Sequence, residues 1–269
     1  MNIEIVLSVN FDSYTDVKKK ELSLLCYELL EYMKIVNDKY FFHDKDKLLE
    51  YLLLEKISND ESKQILKHLN KPTVSSASKN DVLNNIKQKV CDKYLSICID
   101  IDSNANNPYY ISNKDKLIVL KCNCYEKKIK KNNFIEYCNK IFDKLCYSKT
   151  IERSLNSISK HIKTSKGKIL KHLQALSSDD FNKDKNTINS FRDIRSLLVP
   201  YNIDSSVSDD RVKVNSYDFI CNNEELKVKC ELHTKLDSNQ DNCIRIYFHP
   251  GIKHFCDNKV LIGHIGKHL

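Results

Sequence analysis

Near its carboxyl end the chain alternates in a way that few folds can accommodate. Across Glu225–Leu236, Leu226, Val228, Cys230 and Leu232 fall on one side of an extended strand, and Lys227, Lys229, Glu231, His233 and Lys235 fall on the other. Ile244–His249 repeats the pattern, with Ile244, Ile246 and Phe248 opposite Arg245, Tyr247 and His249. A period of two with one apolar and one ionisable face calls for an antiparallel sheet packed on one side. If the two segments form a hairpin across Asp237–Asn242, their polar faces merge into one surface carrying Glu231, His233, Lys235, Arg245 and Tyr247.

These side chains can act on a phosphodiester without a metal. A general base takes the proton of a ribose 2′-hydroxyl, Arg and Lys stabilise the charge growing on phosphorus, and a His or Tyr protonates the leaving oxygen. The same alternation also fits a sheet with one solvated face and no chemistry. Five of nine histidines and three of four glycines lie in the last 37 residues. His264 and His268 beside Gly263 and Gly266 in the final strand favour close approach of a ligand.

The rest of the chain supplies context. Of 269 residues, 41% are hydrophobic and 30% charged, enough apolar material for a packed interior and no run long enough to span a bilayer. Met1–Val9 lacks a basic leader and a small-residue cleavage site, so a soluble, cytoplasmic chain is expected. Eleven cysteines, odd in number and spread from Cys26 to Cys256, read as reduced and mostly buried thiols. Cys122 and Cys124, side by side on an expected strand, are a poor match to the spacing of a structural zinc site. The net charge of +8 is regional: Lys114–His172 holds 16 Lys and Arg against 5 Asp and Glu, so the remainder is net negative. A localised basic region favours a polyanion partner.

In organisation the chain reads as α/β, α+β overall, in three parts. Residues 1–148 form an α/β domain, with strands at Ile3–Val9, Tyr94–Asp102 and Lys116–Asn123. Its apolar stripes at Leu22–Met33, Leu48–Ile57, Ile65–Leu69 and Asn132–Leu145, with a short segment near Asp81–Val90, predict helices, and Pro72–Asn80 and Ser103–Asn113 predict loops. Residues 149–205 form a basic helical module ending in a polar stretch, Ser177–Thr187, and a helix over Ile188–Leu198 that stops at Pro200. Residues 206–269 form a small antiparallel sheet from Val212–Val214, Glu225–Leu236, Ile244–His249 and Lys259–Ile265.

Within the basic module, Ile158, Ile162, Ile169, Leu170, Leu173 and Leu176 have helical spacing, and Thr164–Gly167 reads as a turn between two helices. This resembles a helix-turn-helix, with Lys160, Lys163, Lys166, Lys168, Lys171 and His172 available to phosphates. A solvated helical hairpin has the same pattern. In the first domain, Asp12 follows one strand and Asp100 and Asp102 end another. Carboxylates at the ends of neighbouring parallel strands could hold Mg²⁺ or Mn²⁺, as in metal-dependent nucleases of the PIN type.

The run Cys243–Phe248, a turn, and Lys259–Leu269 resembles the last two strands and tail of the RelE/YoeB/ParE toxin superfamily, over about 45 residues. That family also has two helices ahead of its strands, where this chain has the basic module and Ile188–Leu198, and its turn is shorter than Pro250–Asp257. The resemblance implies a toxin-like or defence-type ribonuclease that cleaves RNA without a cofactor, with the ribosome or an inhibitory protein as further partners. By position it makes Arg245 the phosphate-stabilising residue, His264 or His268 the terminal acid, and Glu231 or His233 the base. The family's ParE branch is not a ribonuclease. Two alternatives stand beside this reading: a non-catalytic nucleic-acid-binding or regulatory protein, and PIN-like cleavage by the first domain.

Overall fold

The computed structural model describes residues 4–9, 16–36, 38–43, 65, 76–77, 94–99, 110–126, 128–185, 191–207, 216–236 and 243–269. The expected helices at Leu48–Ile57, Leu66–Leu69 and Asp81–Val90, the strand Val212–Val214, and Asp12, Asp100 and Asp102 lie outside them. The fold is α+β, and the chain divides into two compact units, Met1–Cys124 and Tyr125–Leu269.

In the first unit, β1 (Glu4–Val9) sits at the centre of a parallel sheet ordered β3-β2-β1-β4-β5, with β2 at Lys39–His43, β3 at Ser76–Ala77, β4 at Tyr94–Ile99 and β5 at Tyr110–Ile111. Ile5, Leu7, Ile97 and Ile99 are fully buried, as central parallel strands require. Helix α1 (Asp16–Ile35) buries Leu22, Leu25, Leu29, Leu30 and Met33 of the expected stripe together with Cys26, while Leu24 is exposed and Tyr27 half-buried. β3 and β5 fall inside the two segments expected as loops.

The expected strand Lys116–Asn123 is instead part of helix α2 (Lys114–Glu126). Its apolar run Leu117–Leu120 is too short for periodicity to separate buried helix from buried strand. The start signal is Asn113, whose Oδ1 accepts the Lys116 N–H at 2.9 Å. Helical winding buries Lys121 against Asp38 at 2.6 Å, both side chains at most 3% exposed, with the ammonium 4.8 Å from the centre of the Tyr32 ring.

The second unit is built on a five-stranded sheet ordered β6-β12-β11-β10-β7, from β6 (Leu145–Tyr147), β7 (Asp204–Val207), β10 (Leu232–Lys235), β11 (Ile244–His249) and β12 (Val260–Lys267). β6 pairs with β12 in parallel and the other pairs are antiparallel. Residues expected in the first and middle domains thus complete the terminal sheet at both edges. The expected hairpin is present, with Leu232 opposite Phe248 and Lys235 opposite Arg245.

Glu225–Leu236, expected as one strand, is two. β9 (Glu224–Lys229) pairs with β8 (Ser216–Cys221) in a separate hairpin, and the chain crosses at Cys230–Glu231 into β10. Asn222 and Asn223 make the β8–β9 turn with φ of 51° and 67°, the left-handed pair a two-residue hairpin needs.

Four helices precede β7: α4 (Ile151–Asn156), α5 (Ile162–Ser177), α6 (Asp179–Asp184) and α7 (Phe191–Leu198), after a short α3 (Phe134–Ile141). The turn of the basic module is at residues 157–161, and Thr164–Gly167 is inside α5. Gly167 serves close approach: a Cβ there would lie 2.7 Å from Glu126 Oε1. His172 of α5 bonds Thr234 Oγ1 at 2.9 Å, and Phe181 of α6 stacks edge-on to Phe248, so these helices cover one face of the sheet. Among the described residues no helix is long and apolar enough to cross a membrane.

Breaking a buried ion pair leaves an uncompensated charge. Asp38→Ala is therefore expected to destabilise the first unit by about 3–5 kcal/mol, read from urea denaturation; a loss below about 1 kcal/mol would mean that the pair is structurally idle.

Candidate functional site

The register of four strands sets two rows of polar residues side by side. Ser206, His233, Tyr247 and His264 are successive cross-strand partners on β7, β10, β11 and β12. Two residues further along lies the row Asp204, Lys235, Arg245 and Gly266. Residues two apart on a strand share a face, so both rows lie on the side opposite Thr234 and Phe248.

Contacts follow from that placement. Ser206 Oγ is 2.7 Å from His233 Nε2, and the His233 and Tyr247 ring centres are 4.9 Å apart. The Tyr247 and His264 rings meet edge to face at 5.7 Å. His268 brings its ring to 5.9 Å from His233 and 6.4 Å from Tyr247, and the Leu269 N–H donates to Tyr247 Oη at 3.3 Å. In the second row Lys235 pairs with Asp204 at 3.2 Å, and Arg245 Nη1 donates to the Ile244 carbonyl at 3.1 Å.

Of the seven residues expected at this site, His233, Lys235, Arg245, Tyr247, His264 and His268 come together. Glu231 does not join the row: it sits in the break between β9 and β10, half-exposed, with its carboxylate paired to Lys229. Asp204 and Ser206 were not foreseen. Asp204–Val207 has a single aliphatic residue, so periodicity gives no strand signal there.

The polar face is neither solvated nor an open cleft. His233 and Tyr247 are 4% exposed and Arg245 and His264 7%, while Lys235 and His268 reach solvent. Cover comes from the β8–β9 hairpin, whose Tyr217, Phe219 and Val228 form one apolar cluster with Tyr247. The two glycines of β12, expected to admit a ligand, admit the protein's own groups. A Cβ at Gly263 would run into the Tyr217 ring, and one at Gly266 would lie 2.6 Å from both His264 Nε2 and Ser157 Oγ.

Burial sets the protonation states. Desolvation, aided by Arg245, His268 and Lys235, pulls His233 down to about 4, against a backbone hydrogen bond with Glu231 that favours the cation. Desolvation also lowers His249 and His264 and raises Tyr247. His264 Nε2 lies 3.0 Å from the Lys267 carbonyl, which only a protonated nitrogen can bond, so Nε2 carries hydrogen.

The basic helices present a second candidate surface. Lys160, Lys163, Lys168 and Lys171 are exposed, whereas Lys166 is turned onto the Glu126 carbonyl and His172 faces the sheet. The cysteines also depart from expectation. Among the described residues nine are free thiols, but Cys124 is disulfide-bonded, and with Cys122 it belongs to a helix and not a strand. No protein-family model, curated protein or solved structure matches this chain.

A histidine whose folded pKa lies below its unfolded value resists protonation in the folded state, so between the two values the unfolded chain binds more protons. The stabilisation by neutral His233 is complete above about pH 6.5 and is lost as pH falls toward about 4. In urea titrations between pH 7 and pH 4, His233→Asn is expected to flatten the acid decline, by up to about 1.4 kcal/mol per pH unit. An unchanged slope would show that the ring is not held neutral.

Proposed function

We propose that the carboxy-terminal sheet is a metal-independent ribonuclease site of the toxin-like or defence type. The observation that carries the reading is the row Ser206, His233, Tyr247 and His264 with Lys235 and Arg245 alongside and the His268 ring against its middle.

RNA would engage the row at its open side, where Lys235 and His268 meet solvent. There Lys235 and Arg245 would hold the scissile phosphate and stabilise its developing charge. With the Nε2 of His264 committed to the Lys267 carbonyl, His268 is the residue placed to protonate the leaving oxygen. His233, neutral and bonded to Ser206, is the base, and Glu231 is withdrawn from that role. Lys160, Lys163, Lys168 and Lys171 would add phosphate contacts along the strand.

On single-stranded RNA, alone or on ribosomes, Arg245→Ala is expected to lower kcat about 100-fold or more, and His268→Ala comparably, with activity unaffected by EDTA. Cleavage that persists in the double variant would sink the proposal. If RNA binds but is never cut, the chain is the non-catalytic binding protein instead, and binding should then weaken on Lys168→Ala and Lys171→Ala. A PIN-like reading draws on one observation: β1 and β4, which precede Asp12 and Asp100, are neighbouring parallel strands. It requires activity lost to EDTA and to Asp100→Asn and indifferent to Arg245→Ala.

A further inference from the structure

Three of the free cysteines converge from distant parts of the second unit. Cys146 is on β6, Cys221 ends β8, and Cys256 follows the Ile252–Phe255 bridge. Cys146 and Cys221 pack against the cluster that holds Cys256, and Cys256 makes a thiol–thiol hydrogen bond with each of them. All three line a cavity of about 410 Å³ with Lys259, Tyr147 and Lys149. Cys146 and Cys221 are half-buried, which leaves the sulfurs reachable from the cavity.

The backbone beneath Cys256 is unusual. Cys256, Asp257 and Asn258 all lie in the left-handed region, with φ of 52°, 53° and 56°. Three consecutive non-glycine residues there cost conformational energy and persist only where surrounding contacts impose them. Lys185 donates to the Asn258 carbonyl, and Gly251, at φ 138°, leaves room for Asn258 where a Cβ would lie 2.6 Å from Oδ1. The strained turn is fixed, and it aims Cys256 between the other two thiols.

We propose that Cys146, Cys221 and Cys256 form a thiol–disulfide exchange site for low-molecular-weight disulfides of the glutathione type. The Cys146 thiolate attacks one sulfur of the disulfide RSSR, forming a Cys146–SR mixed disulfide and releasing RS⁻, which takes up the proton Cys146 lost. Cys256, losing its proton, then attacks the Cys146 sulfur and expels the second RS⁻, which is protonated in turn. The balance is two protein thiols and RSSR giving one Cys146–Cys256 disulfide and two RSH; the protein is oxidised by two electrons and RSSR reduced by two.

The order of attack follows from the surroundings. The hydrogen bond with Cys256 and the Lys259 ammonium favour the Cys146 thiolate, whereas Cys221 is pushed up to about 11, chiefly by desolvation, and Cys256 is raised further by its bond to Cys146. Three thiols could suggest a soft metal, but Lys259 already places a cation beside them, and among the described residues no such group has metal-holding geometry.

The test uses the full-length chain with oxidised glutathione, followed by acid quench, alkylation and peptide mass mapping. The expected result is a Cys146–Cys256 linked peptide and two glutathione thiols released per chain. Cys256→Ser should trap glutathione on Cys146, and Cys146→Ser should abolish the link. In the unaltered chain, which needs no variant to fold, limiting iodoacetamide should alkylate Cys146 before Cys243. Glutathione spread evenly over half-buried thiols such as Cys98 and Cys243, a link between Cys221 and Cys256 in place of the expected one, or Cys146 alkylated last would each overturn the proposal. None of these outcomes bears on RNA cleavage.

Discussion

β12 is buried from Val260 through Gly266, so each of its backbone N–H and C=O groups must find a partner inside the protein. β11 supplies one edge over six residue pairs, and β6 the other over only three. Beyond the end of β6 the edge is finished by side chains: Ser148 Oγ donates to the Gly263 carbonyl, Ser154 Oγ accepts the Ile265 N–H, and Ser157 Oγ accepts the Lys267 N–H. Helix α4 thus substitutes for a strand, and it can come close enough only because residue 266 has no side chain. The placement of His264 and His268, and hence of the polar row, depends on this seam.

That row is expensive to bury. Taking histidines and an arginine out of water penalises their charged forms, and the structure answers differently for each. His233 and His264 remain neutral at neutral pH and spend ring nitrogens on Ser206 and Lys267. Arg245, which cannot lose its proton, donates to the Ile244 carbonyl. Asp204 pairs with Lys235, and Glu231 pairs with Lys229 outside the row. A buried cation beside neutral histidines is a field suited to an anion, and burying it costs stability. Sites of function commonly carry such a cost.

How much of this was legible in the sequence varies with the kind of signal. Strict alternation over Ile244–His249 and His233–Lys235 made the hairpin and its polar face legible, because a slip of one residue would have sent Arg245 and Tyr247 to the face that Phe248 occupies. Most of the α1 stripe was equally plain, although Leu24 faces solvent. Legibility failed where local pattern carried two meanings: the apolar run of α2 reads as strand or helix, and Gly167 reads as a turn when it answers Glu126. It failed too where the deciding contact is distant, as with Asp204 and Ser206, or with the hairpin lid whose Tyr217 occupies the space above Gly263. No periodicity reports that a polar face will be covered.

The cysteines carry that lesson furthest. Pairwise spacing along the chain finds only Cys122 and Cys124, while the cluster that forms draws on residues 146, 221 and 256, brought together because β6 adds in parallel to β12 and β8 lies across the sheet. The same two elements bound the polar row: β12 carries His264, and the hairpin of β8 covers Tyr247. Lys149, one residue after the Ser148 bond to β12, donates its backbone N–H to the Asp218 carbonyl and its ammonium to Glu225, 2.7 Å away, so the hairpin is tied to the corner that holds Cys146. A covalent change among the thiols would therefore act on the strand that closes the sheet and on the loop beside the lid. Coupling between the two sites needs no long pathway, because a single hairpin contacts both.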